Sequence, residues 1–438
     1  MFQTLKNAWK VPELKSKMLF TLLILVLYRL GSSVVVPFVD ANLMQAFSEQ
    51  TSGTVFEYMS FLSGQAFSQG TLFALNVMPY ITSSIVMQLL TIAIPALERM
   101  AQDGEEGKKK ISAITRVVTV ALALITAFGY TQMLKAGFGT GVSYLTDNSV
   151  FAQIVIIACY CAGAALIMWL AERINEHGIG NGISMILFAN ILSRVPALLS
   201  GVWSMTFTQG GFSGFTFGGL CLSILSIAIT VAIIVMIVWF TESERRIPVQ
   251  YAKRQVGRKM YGGQTSNLPL KMNMAGVMPI IFASSIVSIP ATIAGFINDS
   301  ESKFVAWVEK WFNYNTWPYL VVYIALILAF SYFYIMISFN PVEVSNNIRN
   351  QGGSVPGIRP GRPTADYIKR ILNRITTIGA VFLIFIAGFP MLMSIVLPKF
   401  YCLAFVGSSL LIVVGVALET FRNLEAQLSM RNYKGFLD

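Results

Sequence analysis

Side chains able to do covalent or acid–base chemistry are few in this sequence, and their spacing is poor. There is one histidine, His177, in a turn between two apolar runs. Without a second ligand or a nucleophile beside it, a lone imidazole reads as a solvated or capping group. Cys159 and Cys161 are two apart, so on one helix they point about 200° away from each other and make a poor metal or redox pair. Cys221 and Cys402 also lie in or beside apolar runs, and all four read as small packing residues. Gly104-Glu-Glu-Gly-Lys108 comes nearest to a phosphate loop, but it lacks the spacing and the hydroxyl. No H-E-x-x-H, G-x-S-x-G or Cys/His cluster is present. The apolar runs hold almost no Asp, Glu or His at mid-depth, where ion-coupled carriers keep them. These residues predict neither an enzyme nor an ion-coupled transporter, and no cofactor or metal. Any work must be driven by a partner.

The elements that position these groups are apolar. Of 438 residues, 55% are hydrophobic and 12% charged, and mean hydropathy is +0.64. A soluble domain carries about 25% charged residues, and a chain of this size cannot bury so much apolar surface in water. A bilayer core takes about 20 apolar residues per helix. Such runs fall at Met18–Val36, Leu72–Ile94, Ile111–Met133, Phe151–Leu170, Ile183–Ser200, Phe217–Phe240, Ala275–Phe296, Pro318–Phe339, Ile371–Leu397 and Tyr401–Leu418. The spacing predicts an all-α membrane protein with ten transmembrane helices, both termini on one side.

Charge sets the orientation. The N-terminal segment, the second, sixth and eighth connections and the tail are rich in Lys and Arg, whereas the opposite face offers only Lys135, Arg194, Lys303, Lys310 and Lys399. By the positive-inside bias the rich face, with both termini, is cytoplasmic. The net charge of +11 is therefore mostly a topology signal. Two basic connections exceed that need: the sixth (241–274) carries Arg245, Arg246, Lys253, Arg254, Arg258 and Lys259, and the eighth (340–370) carries Arg359. Loops this long and basic suit a phosphate-rich or acidic partner.

The first connection, Pro37–Gly70, is long and has no Lys or Arg; within it Val55–Leu62 is a short apolar stretch. Too short to span, it reads as a re-entrant or interfacial piece. The uncharged segment 201–219 divides the chain into residues 1–200 and 201–438. Five spans in each would make two inverted halves, an arrangement common in proteins that move something across a bilayer. The division rests on counting spans; no clear residue-level repeat supports it.

Four stretches resemble the SecY family of protein translocation channels. They are Leu72-Phe-Ala-Leu-Asn-Val-Met-Pro-Tyr-Ile-Thr-Ser-Ser-Ile-Val-Met-Gln-Leu-Leu90, Trp169-Leu-Ala-Glu-Arg-Ile-Asn-Glu-His-Gly-Ile-Gly-Asn-Gly-Ile-Ser184, Arg245-Arg-Ile-Pro-Val-Gln-Tyr-Ala-Lys-Arg254 and Val355-Pro-Gly-Ile-Arg-Pro-Gly361. The resemblance covers nearly the whole chain in order, with one departure: Asn76 stands where the family pattern has Gly, which puts the backbone at the base of the second span in question. It implies an hourglass channel of two pseudosymmetric five-helix halves in the bacterial cytoplasmic membrane. By motif alignment Val77, Ile81, Leu187, Ile281 and Ile412 resemble the pore ring. A ring of aliphatic side chains resists wetting and offers ions no ligands. Val55, Phe56, Tyr58, Met59, Phe61 and Leu62, within a segment of about 54–66, resemble the plug. Thr82, Ile85 and Ile289 resemble the lateral gate, where Thr82, Ser83, Ser84, Ser284, Ser285 and Ser288 would allow close contact and weak hydrogen bonds. Arg245, Arg246, Lys253, Arg254, Arg258, Lys259 and Arg359 resemble the docking site for the motor ATPase SecA and for ribosomal RNA. The implied partners are the small subunits SecE and SecG, SecA, the ribosome, a signal-bearing polypeptide and the bilayer. Two other classes stay open: a secondary transporter of a small solute, favoured by an intramembrane carboxylate or His, and a non-channel scaffold, favoured by absence of a plug and ring.

Overall fold

The computed structural model describes residues 2–40, 43–44, 59–60, 62–137, 143–196, 200, 217–251, 254–256, 259–261, 265–296, 303–312, 316–396 and 406–434. Along the chain run α1 (Phe2–Lys10), α2 (Pro12–Gly31), α3 (Met78–Ala93), α4 (Pro95–Gln102), α5 (Gly104–Ala136), α6 (Val150–His177), α7 (Gly182–Ser193) and α8 (Phe217–Glu242). Strands β1 (Glu244–Tyr251), β2 (Arg254–Val256), β3 (Lys259–Tyr261) and β4 (Thr265–Lys271) follow. Then come α9 (Met278–Phe296), α10 (Lys303–Phe312), α11 (Trp317–Ser338), α12 (Pro341–Asn350), β5 (Gly353–Ser354), α13 (Arg362–Val396) and α14 (Val406–Lys434). Ten of the helices overlie the ten apolar runs: α2, α3, α5 to α9, α11, α13 and α14.

Helices suit this environment because they satisfy their own backbone, which lipid cannot do. Six of them, α5, α6, α8, α11, α13 and α14, are long and apolar enough to cross a bilayer by length and composition. Their outer faces are apolar too: Val117, Trp239 and Met336 are 71%, 73% and 79% exposed, a surface that fits lipid rather than water. Helix α3 ends where Ile94 turns extended before Pro95, and α4 continues at 101° to it. Proline lacks an amide proton and forces its predecessor out of helical geometry, which makes such a break. Helix α7 has only 12 residues, shorter than the expected 183–200, and spans about 18 Å. Its start is fixed by Asn181, whose side chain accepts from the amides of Ile183 and Ser184.

Helix packing has a pattern. α3 packs on α5, α5 on α6, α6 on α7, and α2 on both α6 and α7. Later in the chain α9 packs on α11, α11 on α13, α13 on α14, and α8 on α14, while stacked Phe240 and Phe382, 3.7 Å between centroids, join α8 to α13. The second set repeats the first, span for span. The sets touch through α9 against α3 and α5 and through α14 against α7.

Candidate functional site

Chemistry begins where α3 and α9 begin. Both helices open with the same Val-Met-Pro-x-Ile pattern, Val77-Met78-Pro79-Tyr80-Ile81 and Val277-Met278-Pro279-Ile280-Ile281. Each goes on to Ser-Ser-Ile-Val, at Ser83–Val86 and Ser284–Val287. The residue before each is in the left-handed region, Asn76 at φ 53° and Gly276 at φ 61°. The first-turn bond is also shared: the Ile81 amide donates to the Val77 carbonyl at 3.0 Å, and the Ile281 amide to the Val277 carbonyl at 3.3 Å. This is a residue-level repeat that span counting missed; aligning the two Val-Met-Pro-x-Ile stretches would have found it.

Val77, Ile81, Leu187, Ile281 and Ile412, from the start of α3, α3, α7, α9 and α14, all belong to one continuous buried apolar cluster. None is more than 8% exposed. Leu62 joins the same cluster at 5% exposure. Met59, half-buried, lines a cavity of about 60 Å³ with Asn76, Pro79, Tyr130 and Thr292. Of the other expected plug residues, Val55, Phe56, Tyr58 and Phe61 lie outside the described residues.

Beside the apolar cluster sits a buried polar knot. Asn76 donates from Nδ2 to the Leu62 carbonyl at 3.0 Å. Its Oδ1 accepts from Nδ2 of Asn190 at 3.2 Å and from the Tyr28 hydroxyl at 3.4 Å. Asn190 also donates to the Tyr28 oxygen at 2.9 Å. All three residues are buried: Tyr28 and Asn190 at 0% and Asn76 at 3% exposure. Sequence reasoning did not anticipate this knot, because its members are distant in the chain and separately unremarkable. The backbone question that Asn76 raised has its answer here: Asn is among the few non-glycine residues that visit the left-handed region routinely.

At the expected gate seam, Ile85 is buried, Thr82 half-buried and Ile289 is 40% exposed, outside the buried cluster. Ser284, Ser285 and Ser288 are buried, yet their hydroxyls donate to carbonyls of their own helix, Ile281 and Ser285. The expected cross-seam hydrogen bonds from these serines are thus replaced by intrahelical ones, the usual alternative for hydroxyls within a helix. Ser83 differs: it donates to the Thr115 carbonyl at 2.8 Å and fastens α3 to α5. α9 lies against α3 and α5 here, with Ile85, Ser284, Ser285 and Ser288 buried.

The basic loops form a folded unit that the sequence did not suggest. β1 pairs antiparallel with β4 along its length and with β5 at Gln250 and Tyr251, giving the order β4-β1-β5. The sixth and eighth connections thus share one sheet. Beneath it Ile247, Val249, Leu270, Ile348, Val355, Ile368, Leu372 and Ile375 make a separate apolar core. Arg245, Arg246 and Arg359 are exposed on this unit, and Arg246 pairs with Glu244 at 2.6 Å. Arg254 and Lys259 lie in β2 and β3; Lys253 and Arg258 lie outside the described residues. At its base Arg422 of α14 pairs with Glu242 at 2.8 Å. Partial burial and the Arg422 guanidinium push the Lys271 ammonium below its usual range. Among the described residues no three His, Cys, Asp or Glu side chains are placed to hold a metal ion.

These features have close parallels elsewhere. A family model described as SecY matches residues 71–421. The protein translocase subunit SecY of Streptomyces galbus is 41% identical over the full length of both chains. A solved protein-conducting channel shares the fold with a TM-score of 0.64, at 17% identity over 96% of each chain. Sec61 in the canine ribosome-channel complex from the endoplasmic reticulum does so with a TM-score of 0.60, at 16% identity over 96% of each chain. With that family match and a full-length relative above two-fifths identity, this chain belongs to the SecY family.

Proposed function

We propose that this chain is a multi-pass membrane channel that passes unfolded polypeptides through an aliphatic constriction and releases apolar segments sideways into lipid. The observation that carries this reading is that Val77, Ile81, Leu187, Ile281 and Ile412, from four different spans, are all buried in the one apolar cluster that joins the two sets of helices. They come from the second, fifth, seventh and tenth spans. If residues 1–200 and 201–438 form two halves, these are the second and fifth spans of each. The repeated helix packing supports that division. An apolar ring repels ions when closed and grips a sliding chain with no hydrogen bonds. Leu62, against the ring from the outer connection, supports a plug that fills the closed mouth. The solute-carrier alternative finds no support among its relatives.

The seam of α3 and α5 against α9 is the proposed lateral exit. Cysteines at Thr82 and Ile289 should crosslink in the closed channel and halt translocation of a signal-bearing protein into vesicles. Absence of a crosslink, or undiminished translocation once it forms, would place the exit elsewhere.

The sheet that unites the two basic connections is the proposed handle for a cytoplasmic engine. Its exposed Arg245, Arg246 and Arg359 suit acidic patches of SecA or phosphates of ribosomal RNA. SecE and SecG are the proposed small membrane partners, and the bacterial cytoplasmic membrane, with both termini inside, is the proposed location. Arg359→Glu should reduce motor-driven export about tenfold or more at unchanged membrane level, because it sets a like charge against an acidic partner. Normal export would remove Arg359 from the docking site.

A further inference from the structure

We propose that Asn76 is a selectivity-setting latch: its side-chain amide ties the Leu62 carbonyl, within the plug segment, to the first and fifth spans, and so sets how strong a signal must be to open the channel. The inference rests on the plug reading above and adds to it a role for Asn76.

The orientation of the knot is settled by its acceptors. The Leu62 carbonyl can only accept, so Nδ2 of Asn76 must face it, at 3.0 Å. Oδ1 then faces Asn190 and Tyr28, which both donate to it. One side chain therefore joins Leu62 to α2, through Tyr28, and to α7, through Asn190. The backbone does not need this amide. Gly276 holds the same left-handed conformation at the start of α9, and a Cβ there would meet nothing within 4 Å. Glycine adopts that conformation without steric cost, whereas asparagine does not. What asparagine adds is the tether. Removing Leu62 from this position takes away the acceptor of Asn76 Nδ2 and leaves that donor unpaired on a residue only 3% exposed. A buried polar group left unpaired is costly, so the knot opposes plug release until an entering segment compensates.

The test uses the channel complex purified with its co-purifying subunits, in planar bilayers and vesicles. Asn76→Gly keeps the backbone and removes the tether. Resting ion conductance and export of a reporter with a weakened signal should each rise about five- to tenfold, as expected for losing one or two buried hydrogen bonds. Asn76→Asp keeps the left-handed tolerance but loses the donor, and should leak at least as much. Membrane level and thermal midpoint check that both variants fold. Deleting residues 54–66 separates the two ideas. If deletion raises conductance and Asn76→Gly adds nothing further in the deleted channel, the latch acts through the plug. If deletion leaks but neither Asn76 variant does, the latch is wrong and the plug stands. If Asn76→Gly keeps its full effect in the deleted channel, the residue acts on the ring and the latch is wrong. If deletion leaves conductance unchanged, the plug reading itself fails.

Discussion

The starts of α3 and α9 share a sequence, a left-handed entry residue and a first-turn bond, yet differ at the entry side chain. Asn76 is at the centre of a three-residue buried network; Gly276 faces open space. The likeness shows what the backbone requires: a positive φ, then Val-Met-Pro-x-Ile to launch a helix and place an isoleucine in the apolar cluster. The difference shows what is added. A side chain at position 76 ties down a neighbouring segment, whereas a Cβ at 276 would meet no described heavy atom within 4 Å. Two like scaffolds thus carry the proposed seal alike and the proposed latch unlike.

The equivalence of the seal is broken or sharpened first. Replacing Ile81 and Ile281 together with Asn should raise resting ion conductance by an order of magnitude or more, because a polar ring wets. Each single replacement should leak to a similar extent; a leak confined to one would show that the two starts are not equivalent. A smaller effect tests the shared backbone. Gly276→Ala should cost about 1–2 kcal/mol, the strain of a Cβ in the left-handed region, seen as a lower thermal midpoint with unaltered signal selection. In Gly276→Asn the cost should be smaller still, and resting conductance should not fall, since a Cβ there meets no described heavy atom within 4 Å. A tighter channel would mean that the latch depends on the entry residue alone and not on Leu62.

Much of the fold was legible because lipid makes the message simple: ten apolar runs became ten helices. The boundaries were less so. α5 and α13 extend beyond their apolar runs as polar turns, and α7 stops at Ser193, since hydropathy does not record where a helix ends. The sheet was hidden by Pro248, which argues against a strand. Its period-two pattern, Ile247 and Val249 buried between exposed neighbours, was nevertheless present. β1 tolerates Pro248 because β5 pairs only at Gln250 and Tyr251, which leaves one side of the strand free there. The ring residues came from motif resemblance; the structure shows that all five are buried in one large apolar cluster. The knot of Tyr28, Asn76 and Asn190 spans 162 positions, and no local pattern announces a contact of that range.

The account stands or falls on whether the chain's clients pass the aliphatic cluster. A polypeptide arrested halfway through the channel, with one photo-crosslinker at its midpoint, tests this most directly. The account predicts adducts with cysteine or native side chains at positions 77, 81, 187, 281 and 412. Adducts confined to outward faces, such as Val117 or Trp239, would contradict it.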